Sequence, residues 1–162
     1  MTAGGGHGAG AAPGGPEVDL GTPFGDMMER MASITGLHHV RLPVSNITAS
    51  AEWYVATFGF EVILYEEEET RPVGAVLRHP SGVIVGLHLN RARSLALKEF
   101  SILGLAVASR DDLEQWILRL DDLDTGHGSV LRGHVGWYVE VPDPDGIVVQ
   151  LHTEGQPDVE EG

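Results

Sequence analysis

Residues 79–88 read HPSGVIVGLH, and 64 positions later residues 143–152 read DPDGIVVQLH. Pro80/Pro144, Gly82/Gly146, Val85/Val149, Leu87/Leu151 and His88/His152 coincide one for one. In each stretch a Pro-x-Gly turn precedes a β-branched run. Proline presets φ, glycine tolerates positive φ, and Val/Ile-rich residues after such a turn favour a strand. The chain therefore carries an internal repeat, with two equivalent strands in two copies of one module.

Each copy shows the same order of signals. In the first, residues 37–44 (LHHVRLPV) alternate as a strand, and Ser45 or Asn46 is placed to cap a helix. Ile47, Ala51, Tyr54, Val55 and Phe58 recur at helical spacing until Gly59 stops them. Strands follow at residues 60–65, 73–78 and 83–89, with the acidic run Glu66–Glu69 read as a solvated loop. In the second copy, after a linker holding Arg91 and Arg93, a strand at residues 100–107 leads to Ser109, with Asp112 three residues on, as a helix cap. Leu113, Trp116, Ile117, Leu120 and Leu123 then form one apolar stripe, ending at Gly126. Strands near residues 129–131, at 136–141 and at 147–152 complete βαβββ a second time. The expected fold class is α+β, two tandem βαβββ modules: module one 36–98, module two 99–154.

Composition bounds the rest. The 162 residues suffice for one well-buried domain or two small modules, and the absence of cysteine removes disulfides, thiolate ligands and a cysteine nucleophile. The formal charge of −14 argues against nucleic-acid phosphates and anionic membranes as partners. Residues 36–153 hold 16 acids and 9 bases, so the acidity is not confined to the ends. It reads as solubility or as attraction for a cationic ligand. No apolar run reaches the length of a membrane span, and no secretion signal is evident, so a cytoplasmic location is expected. Residues 1–35, rich in Gly, Ala and Pro, read as a disordered leader with a short helix around Phe24–Met31, and residues 155–162 as an acidic mobile tail.

The segments LHHVRLPVSN (37–46), AEWYVATFGFEV (51–62), HPSGVIVGLH (79–88), FSILGLAVASRDDLEQWILRLDDL (100–123) and VEVPDPDGIVVQLH (139–152) together resemble the vicinal oxygen chelate superfamily. That superfamily includes glyoxalase I, bleomycin- and fosfomycin-resistance proteins and extradiol dioxygenases. The resemblance implies half-barrel modules whose sheets form a cup, commonly in a symmetric homodimer, with metal ligands on the first and last strand of each module. Carried over residue by residue, those ligand positions fall at His39, Gly86, Ile102 and Gln150. Only His39 is a strong divalent-metal ligand and Gln150 a weak one, whereas a mononuclear site needs at least three.

No cofactor is therefore expected, with a divalent metal as the alternative. Alternation puts His88 on the face of Gly86 and His152 on the face of Gln150, so a shifted metal site would use His39, His88, Gln150 and His152. The simpler reading of His88 and His152 is that of strand-end histidines reaching water. His38 should face away from His39 by parity. Glu140 is either a cup carboxylate or solvent-facing, and whichever of Trp137 and Tyr138 faces the cup can stack on a planar ligand.

The leading expectation is a protein with a degenerate metal site that binds a small organic molecule in an acidic cup. It would act by sequestration as bleomycin-resistance proteins do, or by metal-free isomerase, cyclase or elimination chemistry on a natural-product-like substrate. His39 and Glu140 are the catalytic candidates, and His88, Trp137, Tyr138, Gln150 and His152 the ligand-binding ones. The alternative is a metal-dependent glyoxalase-like lyase, isomerase or dioxygenase using His39, Gln150 and the shifted histidines.

Overall fold

A computed structural model of the protein describes residues 32–155. The expected helix at Phe24–Met31, and nearly all of the expected leader and tail, lie outside the described residues.

The first module runs β1 (Val40–Val44), α1 (Ile47–Phe58), β2 (Glu61–Glu68), β3 (Arg71–Arg78) and β4 (Ile84–Leu89). A short helix, α2 (Arg91–Ala96), leads to the second: β5 (Ser101–Val107), α3 (Arg110–Asp122), β6 (Leu131–Arg132), β7 (Trp137–Pro142) and β8 (Val148–Thr153). The sheets have equivalent orders, β1-β4-β3-β2 and β5-β8-β7-β6, and in each the first strand runs parallel to the last while the other pairings are antiparallel. The βαβββ duplication is thus present.

The helices begin and end where side chains satisfy their free backbone groups. The Asn46 side chain accepts from Ala49 N at the start of α1, and Gly59 closes it in the left-handed conformation at φ 78°. Ser109 Oγ accepts from Asp112 N and donates to the Asp112 carboxylate, starting α3. Each such cap is worth about 1 kcal/mol. Asn90 caps α2 in the same way by accepting from Arg93 N, so the stretch read as a linker holds a helical turn and a half.

The repeated turns match down to their hydrogen bonds. His79 N donates to Val83 O and Gly82 N to His79 O; Asp143 N donates to Ile147 O and Gly146 N to Asp143 O. The side chain of the first turn residue accepts the backbone N–H two residues on in both: Ser81 N to His79 Nδ1 at 3.1 Å, Asp145 N to Asp143 Oδ1 at 2.9 Å. An imidazole nitrogen does in module one what a carboxylate does in module two.

Two expectations fail here. The acidic run is not a loop: β2 continues through Glu68, paired with β3 down to Glu68↔Arg71, and the turn falls at Glu69 and Thr70, both at positive φ. Paired backbone satisfies these residues regardless of their charge, because on an edge strand the side chains stay in water. And α3 ends at Asp122, before Gly126, with Leu123 as its exposed cap.

Alternation divides the inner strands of each sheet, but not β2, which is exposed along nearly its whole length. Leu42, Val44, Ala75, Leu77, Val85 and Leu87 of the first, and Leu103, Val139, Val141, Val149 and Leu151 of the second, are buried with Ala51, Tyr54 and Phe58 of α1 and Leu113 and Leu120 of α3 in one continuous core. The opposite faces carry the intervening residues. Register shifts between Val62 and Leu64 and between Ser101 and Leu103 mark bulges that bend the strands they interrupt.

Candidate functional site

The open face of the first sheet is built from β1, β4, β3 and β2. Pairing places Arg41 beside Gly86, Gly86 beside Val76, and Gly74 between His88 and Glu66. Over this surface lies a hollow of about 290 Å³ lined by His38, His39, Arg41, Glu66, Ile84 and Gly86, among others. Arg41 Nη2 lies 3.2 Å from His88 Nδ1 and 3.8 Å from Glu66 Oε2. A guanidinium can only donate, so His88 Nδ1 is the acceptor and the ring's proton sits on Nε2.

His39 borders this hollow and a second one, of about 300 Å³, whose lining also includes Leu103 and Gly104 of the second module. His38 lines both as well, and its Nδ1 lies 2.8 Å from His39 Nδ1. The parity argument that turned His38 away fails because β1 begins only at Val40, and alternation has no force ahead of the strand.

The open face of the second sheet presents Tyr138, Glu140, Gln150 and His152. The Tyr138 and His152 rings stack, 5.7 Å between centroids and 6° between planes, as a directly paired cross-strand couple. The Gln150 amide donates to Glu140 Oε1 at 3.1 Å, and both residues are half-buried. His152 Nδ1–H donates to the Thr153 carbonyl at 2.8 Å. Trp137 turns the other way, half-buried against the core with the Arg110 guanidinium 4.3 Å above its ring, so Tyr138 is the aromatic residue of the open face.

The expected site residues thus form two groups. His39 and His88 share the first sheet's face with Arg41 and Glu66, neither of which the sequence had singled out; Tyr138, Glu140, Gln150 and His152 share the second's. Neither hollow bordered by His39 includes Glu140, Gln150 or His152. The register places Gly86 and Gln150 at equivalent positions, opposite Arg41 and Gly104, while Ile102 falls in the β5 bulge.

Among the described residues, no group of three or more His, Asp, Glu or Cys side chains is placed to hold a metal ion. Of the four inherited ligand positions Gly86 and Ile102 have no side-chain donor, which leaves His39 and the Oε1 of Gln150, whose Nε2 is held by Glu140. This donor set does not fit the three-ligand divalent site that the resemblance implies.

The turn between β7 and β8 carries polar chemistry of another kind. Asp143, 5% exposed, accepts from the Tyr54 hydroxyl at 3.1 Å and from the backbone of Asp145 and Ile147. Burial pushes its carboxyl above the usual range, against the lowering effect of the three donors. Burial, reinforced by the nearby Asp143 carboxylate, also holds the Tyr54 phenol well above its ordinary value. Asp145 accepts the Ser45 backbone N–H at 3.1 and 3.0 Å through its two oxygens. Both carboxylates tie the second module to the first.

A family model described as "Glyoxalase/Bleomycin resistance protein/Dioxygenase superfamily" matches residues 36–151. The chain belongs to this superfamily. Solved structures agree with the superfamily fold at low identity. A glyoxylase/bleomycin resistance protein/dioxygenase domain from Frankia sp. EAN1pec is 21% identical, with a TM-score of 0.59, covering 75% of this chain and 99% of that one. TnmS3, an antibiotic binding protein from Streptomyces sp. CB03234, is 17% identical with a TM-score of 0.61, covering 77% and 100%. The fosfomycin resistance protein FosX from Listeria monocytogenes, in complex with Mn(II) and sulfate, is 17% identical with a TM-score of 0.60, covering 75% and 92%. No curated protein matches the chain in sequence. In this superfamily member no helix of the described residues is long and apolar enough to cross a membrane.

Proposed function

We propose that the protein binds a small organic molecule on the open faces of its sheets, as a sequestering member of the superfamily whose metal site is degenerate. One observation carries this reading. The helices cover one face of each sheet with apolar side chains, while the other face bears His39 and Arg41 lining a hollow, with His88 against Arg41, on the first sheet, and Tyr138, Glu140, Gln150 and His152 on the second. Charged and hydrogen-bonding groups left at a concave surface are costly to bury in a close-packed core and useful for orienting a ligand. The existence of an antibiotic binding protein with this fold supports the reading.

Sequestration is favoured over metal-free turnover because the two catalytic candidates line no common hollow: His39 borders the first and second hollows, Glu140 stands on the second sheet against Gln150. The acidity expected of the cup is uneven, with Glu140 on one sheet and a guanidinium at the centre of the other.

The test is a calorimetric or fluorescence screen of planar, natural-product-like compounds against the full chain, with and without excess chelator. Binding should survive chelation. His39→Ala should weaken it by about 1–3 kcal/mol while the fold remains intact. His134, exposed in the loop before β7, supplies the control substitution, since His38 touches His39. Loss of binding on chelation, or equal effects of His39→Ala and His134→Ala, would overturn the reading.

A further inference from the structure

The charge of the chain is −14, yet the side chain at the centre of the first sheet's open face is a guanidinium laid over bare backbone. A Cβ at Gly86 would come within 3.6 Å of Arg41 Cγ and 3.9 Å of His39 Cδ2, and a Cβ at Gly74 would run into the Glu66 side chain. Two glycines on adjacent strands thus make a flat floor on which Arg41 and Glu66 lie toward each other. His88 fixes one edge of the guanidinium through Nδ1, which leaves the imidazole Nε2–H as a donor.

The Arg41–Glu66 contact is long, at 3.8 Å, and both side chains are about half exposed, at 54% and 49%. An ion pair in that setting adds little to stability, so stability does not explain the arrangement. Both contacts of the guanidinium use Nη2; among the described residues its Nε and Nη1 hydrogens meet no acceptor. Nor is the cluster a general property of the fold. At the equivalent register positions of the second sheet, Gly104 stands where Arg41 does and Leu131 where Glu66 does.

We propose that the first sheet's hollow recognises the carboxylate of a small planar ligand, with Arg41 as its bidentate anchor, His88 as a flanking donor and Glu66 as an internal stand-in that the ligand's carboxylate displaces. A guanidinium matches a planar carboxylate through two parallel N–H···O bonds, the strongest neutral-pH recognition available to these side chains. The two glycines let Arg41 and Glu66 lie low on the sheet, below a hollow that can take a flat group. The negative field of the whole chain does not oppose this at contact distance, because it is screened beyond about 8 Å at physiological salt.

This inference rests on the small-molecule reading above and specifies its ligand class. It is tested on the full chain, labelled with nitrogen-15 and followed by NMR, using sodium benzoate as probe, benzamide as its neutral isostere and inorganic phosphate as a non-planar anion. Benzoate should bind saturably, shifting the Arg41 Nε–H and His88 ring signals, with benzamide and phosphate each weaker by about ten-fold or more. Arg41→Gln should lower benzoate affinity by about ten-fold, whereas Glu66→Gln should raise it several-fold, with both variants keeping a dispersed spectrum. Equal binding of benzoate and benzamide, equal binding of phosphate, or weakening by Glu66→Gln in step with Arg41→Gln would overturn the proposal. If the aromatic probes shift Tyr138 and His152 instead of Arg41, the carboxylate assignment falls and the small-molecule reading stands. If no probe binds on either sheet and the compound screen is also blank, both fall.

Discussion

Asp143 shows at the scale of one residue how a carboxylate can be both buried and kept. Its three donors, the Tyr54 hydroxyl and the N–H groups of Asp145 and Ile147, would be left without partners in Asp143→Ala, which should cost about 3 kcal/mol in denaturant unfolding. Asp143→Asn keeps an acceptor for the backbone and a donor for the Tyr54 oxygen, so its loss at pH 7 should be about 1 kcal/mol or less. The pH dependence separates the two roles. Because burial raises the folded-state pKa, the folded protein takes up this proton before the unfolded chain does. The contribution is therefore complete below the ordinary carboxylate pKa and is lost as pH rises through the raised one. Over that interval the native protein should gain stability on acidification relative to Asp143→Asn, and parallel stability–pH curves for the two would refute the assignment. The sequence marked Asp143 only as a turn residue, since nothing local announces a partner 89 positions away. His39 was singled out because the resemblance places a metal ligand there, and in the structure it borders the first hollow. Arg41 lies within β1, where alternation does hold, beside buried Leu42 and on the opposite face, and Glu66 was hidden by reading its segment as a loop.

At the scale of the element, the turn and strand together are the unit that was duplicated. The Pro-x-Gly spacing was enough to find β4 and β8, because the conformation it encodes is local: Gly82 and Gly146 have φ of 96° and 80°. Gly82→Ala and Gly146→Ala should each cost about 1–2 kcal/mol from the left-handed strain. Gly146 should be the worse, since its new Cβ would lie 2.9 Å from Lys98 Cγ, a flexible chain that can move aside only in part. Gly104→Ala is the contrast. It sits in β5 at ordinary φ with nothing within 4 Å of the added carbon, and should be neutral or stabilising by up to about 1 kcal/mol. Thermal unfolding of the three variants checks the order; equal losses would mean that backbone conformation is not what the turn glycines supply. Strand ends were less legible than turns for a related reason. The acids of β2 have poor strand propensity, and what holds them is pairing with β3, a contact of the sheet and not of the segment.

At the scale of the whole molecule, two modules were legible and the way they are tied together was not. The ties are side-chain bonds with no sequence pattern: Tyr54 to Asp143, Asp145 to the Ser45 backbone, Arg119 Nε to the Thr57 carbonyl, and the Phe58 ring against Trp116. They secure the buried sides and leave the outer edges bare. β2, the last strand of the first sheet, exposes 47% of Ile63, 53% of Leu64 and 40% of Tyr65, and at the far edge of the second sheet Leu131 is also exposed. Residues 62–65 give this eight-residue edge strand an apolar half with unpaired backbone on its outer side, a template for association that Glu61 and the acids at 66–68 flank without covering. Symmetric pairing with a second copy is the commonest way to cover such a surface. We therefore expect the protein to be a homodimer that covers β2, with about twice the chain mass by light scattering at micromolar concentration. Ile63→Glu should shift the population to monomer, because an ionised side chain at the centre of a buried contact loses its hydration without a partner. Its own fold should survive, since Ile63 lies outside the core cluster. A native chain that is monomeric at that concentration, or a dimer indifferent to Ile63→Glu, would place the covering of β2 elsewhere.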